Sequence, residues 1–177
     1  MKHNYISDAD DYMPSGNDHM PTGNGDGLVK GECRVKDNDK HDNCEQPKVR
    51  FYRCSICGQI VASSEELKNP LTCCGQEMTM LKPNTTEASM EHHIPVFHEM
   101  RHKVCVEIGK TAHPMTPEHH IEWVCLVTNC GVQWKHLKPD CTPEVSFRIK
   151  SCECVKHVYA YCNLHGLWMK CSENDPG

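Results

Sequence analysis

Trp123-Val124-Cys125-Leu126-Val127-Thr128-Asn129-Cys130-Gly131-Val132-Gln133-Trp134-Lys135-His136-Leu137 carries the pattern that identifies the fold class. An apolar run from Trp123 to Val127 and a second run from Val132 to Leu137 flank Thr128-Asn129-Cys130-Gly131. Two short runs across an Asn- and Gly-containing turn read as an antiparallel hairpin. The pattern continues on both sides. Upstream, Val104, Val106 and Ile108 alternate with polar or small residues; downstream, Val145, Phe147 and Ile149 share one face while Glu144, Ser146, Arg148 and Lys150 share the other. Pro139-Asp140-Cys141-Thr142-Pro143 breaks the chain between them, and a last strand runs from about Val155 to Tyr161. Short strands with no long helical period predict a mainly β chain built as an antiparallel β-sandwich.

That last strand delivers Cys162 to Tyr161-Cys162-Asn163-Leu164-His165-Gly166-Leu167-Trp168. A Cys-x-x-His pair on a short loop lets a thiolate and an imidazole reach one metal ion, and the same pair also arises as a buried structural thiol beside a surface histidine. Its company favours the metal. Upstream stand Glu91-His92-His93-Ile94-Pro95-Val96, then His113-Pro114-Met115, then Glu118-His119-His120-Ile121-Glu122-Trp123.

Ahead of the sandwich, Phe51-Tyr52-Arg53-Cys54-Ser55-Ile56-Cys57-Gly58 opens a second thiol-rich unit, completed by Leu71-Thr72-Cys73-Cys74-Gly75. Cys54-x-x-Cys57 turns two thiolates towards one ion, with Gly58 permitting the turn. A zinc ribbon would normally repeat Cys-x-x-Cys, so the adjacent pair Cys73-Cys74 is unusual. Tetrahedral thiolate sites accept iron and zinc alike. A unit this small depends on its metal to fold.

Taken in order, these segments resemble the superoxide reductases of the two-iron desulfoferrodoxin type, over about residues 50 to 170. The resemblance implies a desulforedoxin-like, rubredoxin-like four-cysteine iron centre on Cys54, Cys57, Cys73 and Cys74, followed by an immunoglobulin-like sandwich. It implies a second iron, cycling between Fe(2+) and Fe(3+), held by His93, His113, His119 and His165 in a plane with Cys162 axial. The implied reaction is one-electron reduction of superoxide to hydrogen peroxide, with electrons from a rubredoxin-like or other donor and a homodimer as the assembly. Family members carry Glu-Lys before the first histidine ligand, the glutamate serving the sixth position and the lysine attracting the anion. Here the pair is Glu91 and His92. An unperturbed imidazole is mostly neutral at pH 7, which implies weaker steering of the substrate. The competing reading is a noncatalytic iron or zinc protein, an electron carrier or binding module on the same sandwich.

The boundaries expected are a disordered extension over 1–48, the four-cysteine domain over 49–83, the sandwich over 84–172 and a tail over 173–177. The first segment is rich in Asp, Asn, Gly, Lys and Pro without strand or helix period. With a net charge of -5, the 177-residue chain carries no global basic field for nucleic acid, and no apolar run is long enough to span a bilayer. Without a secretory h-region at Met1-Lys2-His3-Asn4-Tyr5, a cytoplasmic location is expected. There, the cysteines outside the metal motifs (Cys33, Cys44, Cys105, Cys125, Cys130, Cys141, Cys152, Cys154 and Cys171) are expected as reduced thiols. Trp123 and Trp168 are both expected to pack around the second site.

Overall fold

The structure is a computed structural model, and it describes residues 49–86 and 88–172. The expected extension over 1–48, with Cys33 and Cys44, and the tail over 173–177 lie outside the described residues.

Seven strands form the sandwich. β6 (Pro95–Met100), β7 (Lys103–Ile108) and β10 (Glu144–Arg148) make one antiparallel sheet in the order β10-β7-β6. β8 (Ile121–Thr128), β9 (Gly131–His136), β11 (Val155–Cys162) and β12 (Gly166–Cys171) make the other, in the order β12-β11-β8-β9. Asn129 and Cys130 form the tight connection between β8 and β9, where the sequence places its hairpin. Val104, Val106 and Ile108 point inwards from β7 and meet Val124, Leu126, Val158, Ala160 and Trp168 from the facing sheet. Each buried Val, Leu, Ile or Phe there contributes roughly 1.5–3 kcal/mol through burial.

The unbroken apolar run of β8 has a second cause. Alternate residues Trp123, Cys125 and Val127 face away from that core and are buried against a second cluster with Phe51, Tyr159, Tyr161 and Leu167. Both faces of the four-stranded sheet are therefore covered, and alternation disappears from the sequence of its central strand. Phe51 is the plug of this layer: it is 1 % exposed, with its ring centroid 5.1 Å from both Trp123 and Tyr159.

Phe51 comes from β1 (Arg50–Arg53), the middle strand of a small sheet ordered β2-β1-β5, with β2 at Ile60–Ser63 and β5 at Thr79–Met80. Between them β3 (Thr72–Cys73) and β4 (Gln76–Glu77) form a two-stranded hairpin. The chain then crosses to the sandwich through Asn84, whose φ is 58°. Asn84 is clipped to β12: its N–H donates to the Leu167 carbonyl at 3.0 Å, its Nδ2 donates to the Met169 carbonyl at 3.1 Å, and its Oδ1 accepts the Met169 N–H at 2.9 Å. A short helical turn, α1 (Met90–His93), precedes β6. Among the described residues no helix is long and apolar enough to cross a membrane.

Candidate metal centres

Cys54, Cys57, Cys73 and Cys74 come together with their sulfurs within 4.8 Å of one another. The first pair sits on a knuckle closed by Gly58 N–H donating to the Cys54 carbonyl at 3.0 Å and Cys54 N–H donating to the Gln59 carbonyl at 2.9 Å. The second pair explains its own adjacency. Cys73 and Gln76 pair across the β3–β4 hairpin, leaving Cys74 and Gly75 as a two-residue loop with φ of 52° and 78°. Positive φ at both positions is the signature of a type I′ turn. It rotates Cys74 so that its sulfur lies 3.8 Å from that of Cys73, which is 3.6 Å from Cys57 Sγ. Backbone N–H groups of Cys57, and then of Ile56, draw the Cys54 thiol down to about 7. Sulfur contacts with Cys57 and then Cys54 push Cys73 up to about 12. Sulfurs this close relieve their mutual repulsion when they share a cation.

The second group is assembled from four separate segments. His93 ends α1, His113 lies beyond β7, His119 precedes β8, and Cys162 and His165 lie at the turn between β11 and β12. Their donor atoms lie within 4.8 Å of one another. The rings form a closed cycle: His93–His113, His113–His119, His119–His165 and His165–His93 have centroids 4.5–4.8 Å apart and interplanar angles of 75–90°. His93 and His119, across the cycle, lie 6.1 Å apart at 30°. With its neighbours crossed, this cycle is an arrangement in which four imidazoles could surround one ion, and Cys162 Sγ belongs to the same cluster of donor atoms.

The protonation pattern is set from behind. His93 Nδ1 donates to the Ser89 carbonyl at 2.7 Å and His113 Nδ1 to the Pro114 carbonyl at 2.6 Å, so each presents Nε2 as a lone pair. His113 Nε2 and His119 Nε2 are buried with no hydrogen-bond partner, and His93 Nε2 faces His165 Nδ1 at 2.9 Å. Buried nitrogens left without a partner are costly unless a cation takes their lone pairs. Burial lowers the basicity of His93 and His119 and takes His113 down to about 4, keeping the imidazoles neutral and ready to bind. Burial also pushes the Cys162 thiol up, against the backbone N–H groups of His165 and Leu164, which pull it down. The residues present therefore fit one transition-metal ion of borderline softness.

Around this group Trp168, fully buried, stacks on His93 at 4.6 Å and 23°. Trp123 does not line the group: it lies on the opposite face of its sheet, stacked on Tyr161 at 5.3 Å. The ladder slips between Tyr161, which pairs with Trp123, and Cys162, which pairs with Ile121, so Glu122 is bulged out of register. Glu91 is exposed and stands outside the donor cluster, while His92 turns its Nδ1 to the Thr111 carbonyl at 3.2 Å. The α1 turn is held by Gly109, whose N–H donates to the Ile94 carbonyl at 3.2 Å, and by Lys110, whose N–H donates to the Glu91 carbonyl at 2.7 Å. Gly109 has φ of +84°, and a Cβ there would lie 2.5 Å from the Thr111 carbonyl oxygen and 2.6 Å from that of His92. Sequence reading passed over Gly109 and the side chain of Asn163. Cys105, Cys125, Cys141, Cys152 and Cys171 are free thiols, as expected, whereas Cys154 is disulfide-bonded and corrects the expectation of reduced cysteines throughout. Cys154 lies half-buried just before β11.

Residues 85–171 match the desulfoferrodoxin family model, and residues 46–81 match the model of the desulfoferrodoxin N-terminal domain. A desulfoferrodoxin homolog of Archaeoglobus fulgidus is 38% identical over 120 residues, 68% of this chain and 94% of the relative. The desulfoferrodoxin of Nitratidesulfovibrio vulgaris is 41% identical over 122 residues, with the same coverage of 68% and 94%. The crystal structure of the superoxide reductase from Treponema pallidum superposes with a TM-score of 0.61 at 36% identity, covering 70% of this chain and 98% of that one.

Proposed function

The chain belongs to the desulfoferrodoxin family, and from that premise we propose that it is an iron-dependent superoxide reductase. The observation that carries the reading is the cycle of four crossed imidazoles with Cys162 Sγ beside it. Five donors are one more than a closed tetrahedral zinc site uses, and they suit an octahedral ion with one position left to a substrate. Iron held by His93, His113, His119, Cys162 and His165 would supply a one-electron couple, able to reduce superoxide with two protons to hydrogen peroxide as the ferrous ion becomes ferric.

The chain's residues set the conditions for that step. The Ser89 and Pro114 carbonyls fix the His93 and His113 rings from behind, so neither ring turns to follow the metal. Trp168 shields the His93 side from water. The N–H groups of Leu164 and His165 stabilise negative charge on Cys162 Sγ, and burial opposes them, so the sulfur stays strongly electron-donating. His92, whose Nδ1 faces the Thr111 carbonyl, is proposed to meet the approaching anion, and Glu91 on the same turn is proposed as the carboxylate that would bind the iron after product leaves. Cys54, Cys57, Cys73 and Cys74 are proposed to hold the other iron, where exposed Cys57 and Cys74 are open to a rubredoxin-like donor. A homodimer is proposed on the family resemblance.

The test is metal content and the visible spectrum of the full chain before and after oxidation, followed by the rate of superoxide reduction. Iron in the second group with a ferric–thiolate band that Cys162→Ser removes, together with loss of superoxide reduction in that variant, supports the reading. A second group that binds no iron, or a Cys162→Ser variant of undiminished rate, leaves the noncatalytic metal protein in its place.

A further inference from the structure

The motif residue that the proposed chemistry leaves without a role is Asn163. It follows Cys162, and all its polar groups except its carbonyl are directed at one neighbouring loop. Its N–H donates to the His120 carbonyl at 3.1 Å, its Oδ1 accepts the His120 N–H at 2.9 Å, and its Nδ2 donates to the Glu118 carbonyl at 2.8 Å. These three bonds bracket His119 from both sides. The partners also fix the orientation of the amide, since a carbonyl can only accept and an N–H only donate.

The bracket is needed because the strand ladder stops short of His119. Regular pairing of β11 with β8 slips at Tyr161/Cys162 and ends at Ile121, two residues beyond His119. Without a further tie, the loop over 116–120 would carry a metal donor on backbone that is exposed at Thr116, Pro117 and Glu118. Thr116 closes the loop on itself, exchanging backbone bonds with His119 at 2.9 and 3.2 Å, but it does not reach the Cys162 turn. Asn163 makes that connection. Aspartate lacks the donor for Glu118, serine is too short to serve both partners, and leucine or alanine can serve neither.

We infer that Asn163 is a positioning residue of the second metal centre: its amide fixes His119 relative to Cys162 and His165, and so sets the alignment of the His119 ring with the Cys162 sulfur. The inference rests on the proposed iron site. Nearby, Cys162 Sγ lies 4.0 Å from Asn163 Oδ1. Because that oxygen is already engaged by the His120 N–H, it is held in place rather than free to turn towards the iron.

The experiment compares the iron-loaded full chain with Asn163→Ala and Asn163→Asp. Two quantities are read: the iron retained by the second group against a competing chelator, and the energy and intensity of its ferric–thiolate band. Asn163→Ala is expected to weaken iron retention about 10- to 100-fold, in line with loss of an outer partner of a metal ligand, and to shift the band. Asn163→Asp keeps the acceptor and loses the donor, so it falls between parent and alanine. The spectrum of the four-cysteine centre should be the same in all three. Parent-like retention and an unshifted band in Asn163→Ala overturn the inference, even if thermal stability drops, because a merely structural role would lower stability without moving the band. Should Asn163→Ala fail to fold, Asn163→Asp decides by the same two readouts. A parent protein with no ferric–thiolate band overturns the iron reading itself, a result distinct from an unshifted band in the variants.

Discussion

The four-cysteine group draws its sulfurs from two turns within residues 54–74 and leaves Cys57 and Cys74 exposed. The second group draws five donors from four segments between residues 93 and 165 and buries His93, His113 and Cys162. Among the described residues of the small sheet's stretch of chain only Phe51, Cys54 and Met78 are buried, and Phe51 is spent on the sandwich rather than on a core of its own. The second group rests instead on the thirteen buried residues of the main core. The difference separates two ways of making a metal site: in one the ion holds the protein, and in the other the protein holds the ion.

The largest expected effect follows from the first half of that contrast. Structural four-ligand metal sites contribute apparent free energies on the order of 10 kcal/mol. The double variant Cys57→Ser, Cys74→Ser should therefore open residues 54–80 to limited proteolysis and rapid amide exchange, while the sandwich keeps its exchange protection. Simultaneous loss of protection in both regions would erase the distinction. Next in size, Cys162→Ser should weaken the second group about 100-fold, a share of roughly 3 kcal/mol per donor, and leave the fold intact by circular dichroism. Collapse of the sandwich in that variant would mean that this ion, too, holds the protein.

A smaller effect probes how the protein holds its donors. Gly109→Ala meets both a left-handed backbone and two carbonyl oxygens within 2.6 Å. It should cost about 1–3 kcal/mol in denaturant unfolding and lower iron retention at the second group, leaving the spectrum of the four-cysteine centre unchanged. An unaltered unfolding midpoint would show that the α1 turn is not fixed there. The last effect, comparable in size to that of Gly109→Ala, is confined to alkaline pH. Burial pushes Cys125 from 9.0 up to about 12, and burial, then nearby Cys125, pushes Tyr159 from 10.0 up to about 12. Above pH 9 the unfolded chain releases protons that the folded chain retains, so stability falls as pH rises from about 9 to 12. Urea titrations of the metal-loaded chain at about pH 8 and about pH 10.5 should show it, and equal midpoints would mean that the second aromatic layer admits solvent.

The same contrast explains what could be read from the residues. Cys54-x-x-Cys57 and Cys73-Cys74 announce themselves because their donors are neighbours in sequence. The geometry that makes Cys73-Cys74 workable, positive φ at Cys74 and Gly75, belongs to the hairpin and appears only with the β3–β4 register. The strands of the sandwich were legible from alternation at Val104, Val106 and Ile108. Trp123 was misplaced because closeness to His119 in sequence suggests closeness in space, while the bulge at Glu122 changes which face the next residue takes. Asn163 and Gly109 act on backbone carbonyls and amides, groups that every residue carries, so no side-chain pattern in the sequence marks their partners.

The clip between Asn84 and Met169, with Phe51 set among Trp123, Trp134 and Tyr159, has a consequence for time as well as shape. The cysteine-rich unit cannot swing on its connector as a tethered bead would, so the gap between the two metal positions is a constant of the fold. An electron exchanged between them would cross a single tunnelling distance, and its decay would follow one exponential rather than a spread of rates.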